Sequence, residues 1–358
     1  MIDLRSDTLT KPTPPMRRAM AEAEVGDEQK REDPTVLALE ERAAELVGQE
    51  AAVYLPTATM ANQIALRLLS EPGDEVLAEA NAHIFRYELG GPAVHSGLSM
   101  RPIGTADGRF GPQEVSSRIS PPGDLHAAPS RILCLENTHN GGGGRVWPLE
   151  RLRAVCAEAR AHGLFVHLDG ARLMNAAVAS GAPAATIGRE FDTVTLCLSK
   201  GLGCPLGAVL ATSAEREPRA RRFKHMFGGA MRQAGVVAAA GLYALDHHVE
   251  RLAEDHANAR RLAEGLAAAD LPVDLDAVES NFVLLDAGSL GMTGDEALAR
   301  LRAEGVLLSF SVANDVLRAV THLDVTADDV ETAIAAAARA LAGDPRPVEL
   351  AADAPTPY

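Results

Sequence analysis

A chain of 358 residues with 47% hydrophobic content has enough apolar material for a large core and, at this length, for two domains. Charged residues are 23% of the total, ordinary for a globular protein, and the formal charge of −15 argues against nucleic acid or an anionic membrane surface as partner. No apolar run reaches membrane-span length, so no membrane association is expected either.

The opening "MIDLRSDTLTKP" is charged from its third residue and lacks the apolar stretch of a secretory leader. Cys134, Cys156, Cys197 and Cys204 show no C-x-x-C pairing, so buried free thiols, no metal and a cytoplasmic enzyme are expected. The first 35 residues have no strong periodicity and are expected to wrap another surface. From about residue 40 to 245, short apolar runs alternate with amphipathic helical stretches. "AAVYLP" precedes the helix-like "TMANQIALRLLS", and "GDEVLAE" reads as the next strand. "RILCLEN" leads through a glycine loop into "PLERLRAVCAEARAHG", a helix with Pro148 near its start and Gly163 just past its end. "LFVHLD", "TVTLCLS" and "GAVLAT" complete the strands, and the alternation predicts a mainly parallel sheet with helices on both faces.

After about residue 246 the texture changes. A long amphipathic helix, "HVERLAEDHANARRLAEGLAAA", leads to "SNFVLLDA", "DEALARLRAEG", "VLLSFSV", "VLRAVTHLD" and "ADDVETAIAAAARALAG". These predict a small α+β domain over 246–343 beside a large domain over 1–245, and a disordered tail over 344–358. No internal repeat is present.

The stretch "TVTLCLSKGLGCPLGAVLAT" sets Lys200 at the end of an apolar run, where its charge is expected to be buried, and the chain has only four lysines against thirty arginines. An arginine stays charged, whereas a lysine amine can lose its proton and act as a nucleophile. Asp169 closes "LFVHLD" in the same way, and ligand sites in such sheets form beyond the carboxyl ends of the strands. A lysine and a carboxylate on neighbouring strand ends suit pyridoxal 5'-phosphate: the lysine carries the aldehyde as a Schiff base and the carboxylate keeps the pyridine nitrogen protonated. A salt bridge between Asp169 and Lys200, or a Mg²⁺-type aspartate, would read the same from spacing alone.

The segments "DLRSDTLTKPT", "EDPTV", "AHIFRYELGGPA", "ENTHNGGGG", "HLDGARLMNA", "CLSKGLGCPLGAVL" and "GGAMRQAG" follow one another over residues 3 to about 240. In this the chain resembles the low-specificity L-threonine aldolases, of the aspartate-aminotransferase superfold (fold type I). The resemblance implies an α/β fold with a large domain around a mainly parallel seven-stranded sheet and a small C-terminal α+β domain. It implies retro-aldol cleavage of L-threonine, L-allo-threonine or a related L-β-hydroxy-α-amino acid to glycine and an aldehyde, in a homotetramer built as a dimer of dimers. A β-eliminating lyase, racemase or aminotransferase would use the same lysine and aspartate, and a non-catalytic cofactor-binding protein is the reading from another class.

Residue by residue, the resemblance makes Lys200 the Schiff-base lysine and Asp169 the partner of the pyridine nitrogen. His83 stacks on the ring and takes part in deprotonation. Ser6, Arg172 and Arg318 hold the substrate carboxylate, with Arg172 also beside the cofactor. Ala58 and Thr59, in the turn "TATMAN", take the phosphate, joined by Arg232 from across a subunit interface. Ala58 stands where the family has glycine, which suits alanine only if φ stays negative. Lys30 and Arg31 stand where a tyrosine is usual. Simpler roles remain open from the residues alone: Arg172 as an ion pair with Asp169, Arg318 with a structural acid, Ser6 as a cap, His83 as a structural histidine, and Gly141–Gly144 as a flexible loop.

Overall fold

Strands buried on both faces are written as apolar runs, and strands with one wet face are not; both kinds occur here. The computed structural model describes residues 1–341 except Pro122 and Asn314, so the tail expected over 344–358 lies outside the described residues. The strands in chain order are β1 (Ile2–Asp3), β2 (Ala51–Leu55), β3 (Glu75–Glu79), β4 (Ser99–Ile103), β5 (Ser130–Glu136) and β6 (Phe165–Gly170). They continue with β7 (Thr193–Cys197), β8 (Ala208–Thr212), β9 (Phe282–Asp286), β10 (Val306–Leu307), β11 (Ser309–Phe310) and β12 (Val316–Val320).

Seven of them form one sheet in the order β2-β8-β7-β6-β5-β3-β4. Only β8 runs antiparallel to its neighbours; the rest are parallel, as the alternating pattern predicts. The carboxyl ends of β3, β5, β6 and β7 therefore open on one side, where the crossover loops gather. β6 and β7 are adjacent, with Asp169 opposite Thr195. Gly170 follows Asp169 because a Cβ there would stand 2.4 Å from the Thr195 carbonyl of β7. The helix Ala58–Leu69 is capped by Thr57, whose hydroxyl accepts from the Met60 amide at 3.1 Å.

A second, three-stranded antiparallel sheet has the order β11-β12-β9. With the helices Leu252–Ala268, Gly294–Ala303 and Ala327–Leu341 it surrounds its own apolar cluster, including Leu262, Leu285, Leu301, Leu317 and Val330. "VLLSFSV" supplies two short strands: β10 pairs with β1 and β11 with β12. The N-terminal residues wrap the chain's own surface. β1 runs parallel to β10, Leu4 packs into the second cluster, and Thr10 Oγ1 donates to the Lys200 carbonyl at 2.7 Å. All four cysteines are buried and free. No helix among the described residues is long and apolar enough to cross a membrane.

Candidate active site

β6 delivers Asp169 to its carboxyl end, where the side chain is 1% exposed and has no ion pair among the described residues. Its Oδ1 accepts from the Ala171 amide at 3.1 Å and its Oδ2 from Asn62 Nδ2 at 2.8 Å. The same Nδ2 donates to Glu88 Oε1 at 2.9 Å, and Gln63 Nε2 donates to Glu88 Oε2 at 2.5 Å. His83, first residue of the short helix His83–Arg86, meets Glu88 Oε1 through Nδ1 at 2.8 Å. Because Asn62 donates to two carboxylates, its oxygen is left to accept from His167 Nε2 at 3.2 Å; His167 Nδ1 then accepts from Thr193 Oγ1 at 2.8 Å. Burial pushes His167 down to about 4, so it is neutral, as that arrangement requires. Burial acts on His83 in the same sense, but the hydrogen bond to Glu88 and the charges of Asp169 and Glu88 outweigh it and its pKa is raised. His83, Glu88 and Asp169 present ligand atoms within 4.8 Å of one another, yet hydrogen bonds already engage all three without a cation.

The second part of the site is built from arginines. Arg172 does not pair with Asp169. Its Nε and Nη2 form a fork on Asp7, at 2.7 and 2.6 Å, with Asp7 fully buried. Burial opposes ionisation of Asp7, but the Arg172 guanidinium holds its carboxyl down at about 2. Arg318, on β12, has no carboxylate within ion-pair distance among the described residues. It donates instead to Asn140 Oδ1 at 3.1 Å, Ser309 Oγ at 3.2 Å and the Arg5 carbonyl at 3.3 Å. Both guanidiniums lie over the Phe282 ring, at 4.8 and 5.6 Å from its centroid, and burial together with the Arg172 charge lowers the pKa of Arg318. Asp7 is taken by Arg172, so Arg318 is left without an ion-pair partner among the described residues. Ser6 caps the turn Asp7–Leu9, accepting from the Thr8 amide at 3.2 Å, so its simpler reading holds and its own hydroxyl proton stays available.

Lys200 lies beyond the end of β7, half-buried, and its Nζ has no hydrogen bond or ion pair among the described residues. It lines one cavity with Arg172, Asn175 and Cys197. Ala58 opens the helix that carries Asn62 four residues on, hence on the same face, and its φ is not positive. Thr59 beside it is exposed. Arg232 is not gathered in: its guanidinium is exposed and pairs with Asp27 at 3.1 Å. The loop Gly141–Gly144 is packed rather than free, since a Cβ at Gly142 would stand 2.2 Å from the Asp107 carbonyl.

The profile of the beta-eliminating lyase family matches residues 3–288. The low specificity L-threonine aldolase of Escherichia coli K12 is 43% identical over 331 residues, 92% of this chain and 96% of its own. The chain belongs to this family, among the low-specificity L-threonine aldolases. In fold it is similar to the solved threonine aldolase of Leishmania major, with a TM-score of 0.81 at 20% identity over 96% of this chain and 100% of that one. A structure of SPT with PLP aligns with a TM-score of 0.72 at 18% identity, covering 95% of this chain and 87% of the other. Enzymes of the beta-eliminating lyase family use pyridoxal phosphate, and the expected fold type, lyase class and cofactor are borne out.

The residues at hand fit that group. A buried carboxylate without a cation, Asp169, suits a protonated ring nitrogen, and an unpaired amine, Lys200, suits an aldehyde. The amides of Ala58 and Thr59, at the start of a capped helix one turn from Asn62, suit a phosphate. Beyond the residues expected of a threonine aldolase, the site contains Asn62, Gln63, Glu88, Asp7 and Asn140. Asn62 and Gln63 left a trace in the sequence: two amides on the face of "TMANQIALRLLS" that its apolar period buries. Asp7 left none, because its partner lies 165 residues away.

Proposed function

We propose that the chain is a pyridoxal-phosphate-dependent aldehyde-lyase that cleaves L-threonine, L-allo-threonine or a related L-β-hydroxy-α-amino acid to glycine and an aldehyde. The observation that carries this reading is Arg318, a guanidinium without a carboxylate partner over the same Phe282 ring as Arg172, which in turn lines a cavity with the unpaired Lys200. When bound, the cofactor supplies an electron sink for the Cα–Cβ bond pair. Lys200 anchors it covalently and Asp169 holds the proton on its ring nitrogen.

Arg318, with Arg172 held in place by Asp7 and the hydroxyl of Ser6 nearby, binds the substrate carboxylate. That grip would fix the orientation of the Cα–Cβ bond that is to break. His83, whose Nδ1–H is held by Glu88, would take the β-hydroxyl proton at Nε2 as the aldehyde leaves, and the proton so gained is the one available to replace the lost substituent on Cα before glycine departs. Ala58 and Thr59 hold the phosphate. Arg232 serves there only as a neighbouring subunit's residue, which goes with the homotetramer, a dimer of dimers, that belongs to this reading. A cytoplasmic location and a domain division near residue 246, with units 1–245 and 246–343, are part of the same proposal.

The test is incubation of cofactor-loaded protein with L-threonine and with L-allo-threonine. Glycine and acetaldehyde in equal amounts are expected. Ammonia and a 2-oxo acid would instead assign elimination, and no turnover of any β-hydroxy amino acid would reject the proposal.

A further inference from the structure

Glu136 ends β5 and is 4% exposed, with no cation within ion-pair distance among the described residues. Its carboxylate divides between two backbone amides. Oε2 accepts from His83 N at 2.8 Å, 53 residues away in sequence, and Oε1 from Asn140 N at 2.8 Å, 4 residues away. The first amide belongs to the residue whose ring meets Glu88. The second belongs to the residue whose Oδ1 receives Arg318 Nη1 at 3.1 Å and Arg172 Nη1 at 3.5 Å. The Glu136 backbone is pinned in turn, its carbonyl accepting from Trp147 Nε1 at 3.1 Å.

A buried carboxylate is costly unless its lone pairs are taken, and bonds to an ionised acceptor are shorter and stiffer than neutral ones. Two such bonds from one rigid group leave His83 and Asn140 little freedom to move apart. We propose that Glu136 is a positioning residue that ties the proton-accepting side of the site to its carboxylate-binding side, so that the His83 ring and the Arg318 guanidinium keep a fixed separation. This rests on the roles of His83 and Arg318 given above, although the tie itself is measurable without them.

Hydrogen exchange on the full-length, cofactor-loaded protein tests the tie directly. In the wild type the amides of His83 and Asn140 exchange slowly. In Glu136→Ala both acceptors are gone, and segments 82–87 and 139–144 lose protection together, by about tenfold. Kinetically, Glu136→Ala raises KM and lowers kcat, each by about tenfold, whereas Asn140→Ala raises KM alone. Loss of protection in only one segment or in neither overturns the proposal, and so does a Glu136→Ala effect confined to one kinetic constant. If Glu136→Ala does not fold, Glu136→Met, which fills the space without an acceptor for either amide, is read in the same way. Open-loop exchange at either amide in the wild type overturns the proposal without any variant. Should the protein cleave no amino acid, the exchange result still decides the tie, and the failure falls on the functional reading alone.

Discussion

Two of the chain's four lysines, Lys224 and Lys200, are treated in opposite ways. Lys224 is fully buried: its ammonium meets Glu28 Oε1, and the other Glu28 oxygen accepts from the Met231 amide at 2.9 Å. Arg221 extends this ion network to Glu40 at 2.9 Å and Glu217 at 2.5 Å. Lys200, which reads from the sequence as the buried charge, is only half-buried and its amine is unpaired. Burial pulls the pKa of Lys224 down while the Glu28 hydrogen bond and charge resist. A lysine that holds structure has its partners folded around it; a lysine meant for bond formation is left without one, because a strong ion pair would keep its proton in place.

The largest effect expected from breaking this contrast is at Lys200. Lys200→Ala should cut amino-acid cleavage by about 10⁴-fold or more, with the unfolding midpoint unchanged and the cofactor no longer fixed by borohydride. Lys224→Ala should do the reverse, leaving the buried Glu28 with only the longer contact to Arg221 at 3.7 Å, at a cost of about 3 kcal/mol, read by denaturant unfolding. Pairing Lys224→Met with Glu28→Gln should recover most of that loss. The arginines sharpen the same distinction. Arg318→Ala should raise KM by roughly 10- to 100-fold, as expected for one or two charge-assisted bonds, in steady-state assays. Arg172→Ala should also lower stability, because it strands the buried Asp7.

The smallest effect concerns pH. His83 must be neutral to accept a proton, and its pKa is raised above 6.5. Activity should therefore fall as pH drops through a point above that value. Glu88→Gln removes the negative charge that helps to raise it, so the acid limb of kcat/KM should move to lower pH. A limb that stays in place would separate Glu88 from the chemistry.

What could be read in advance follows the range of the interactions. Asp169 and Lys200 are legible because each ends an apolar run, and both strands and the site side of the sheet follow from that local pattern. β4 is not legible: as an edge strand with four of its five residues at least partly exposed, and with Pro102 inside it, it offers no apolar run. The Arg172–Asp7 fork and the His83–Glu136 bond span 165 and 53 residues, and nothing near either end announces the other. Arg318 lies between these cases. Its need for a partner is visible in "VLRAV", but that the protein supplies no acid is visible only in three dimensions.

The pairing of Ile2 with Val306 has a consequence for biosynthesis. Ile2 and Asp3 are made some three hundred residues before the strand they join. Until β10 exists that segment has no strand to pair with, so a chain cut short upstream of β10 should lack the pairing that precedes the seat of Asp7 beside Arg172 and should bind amino acid less well.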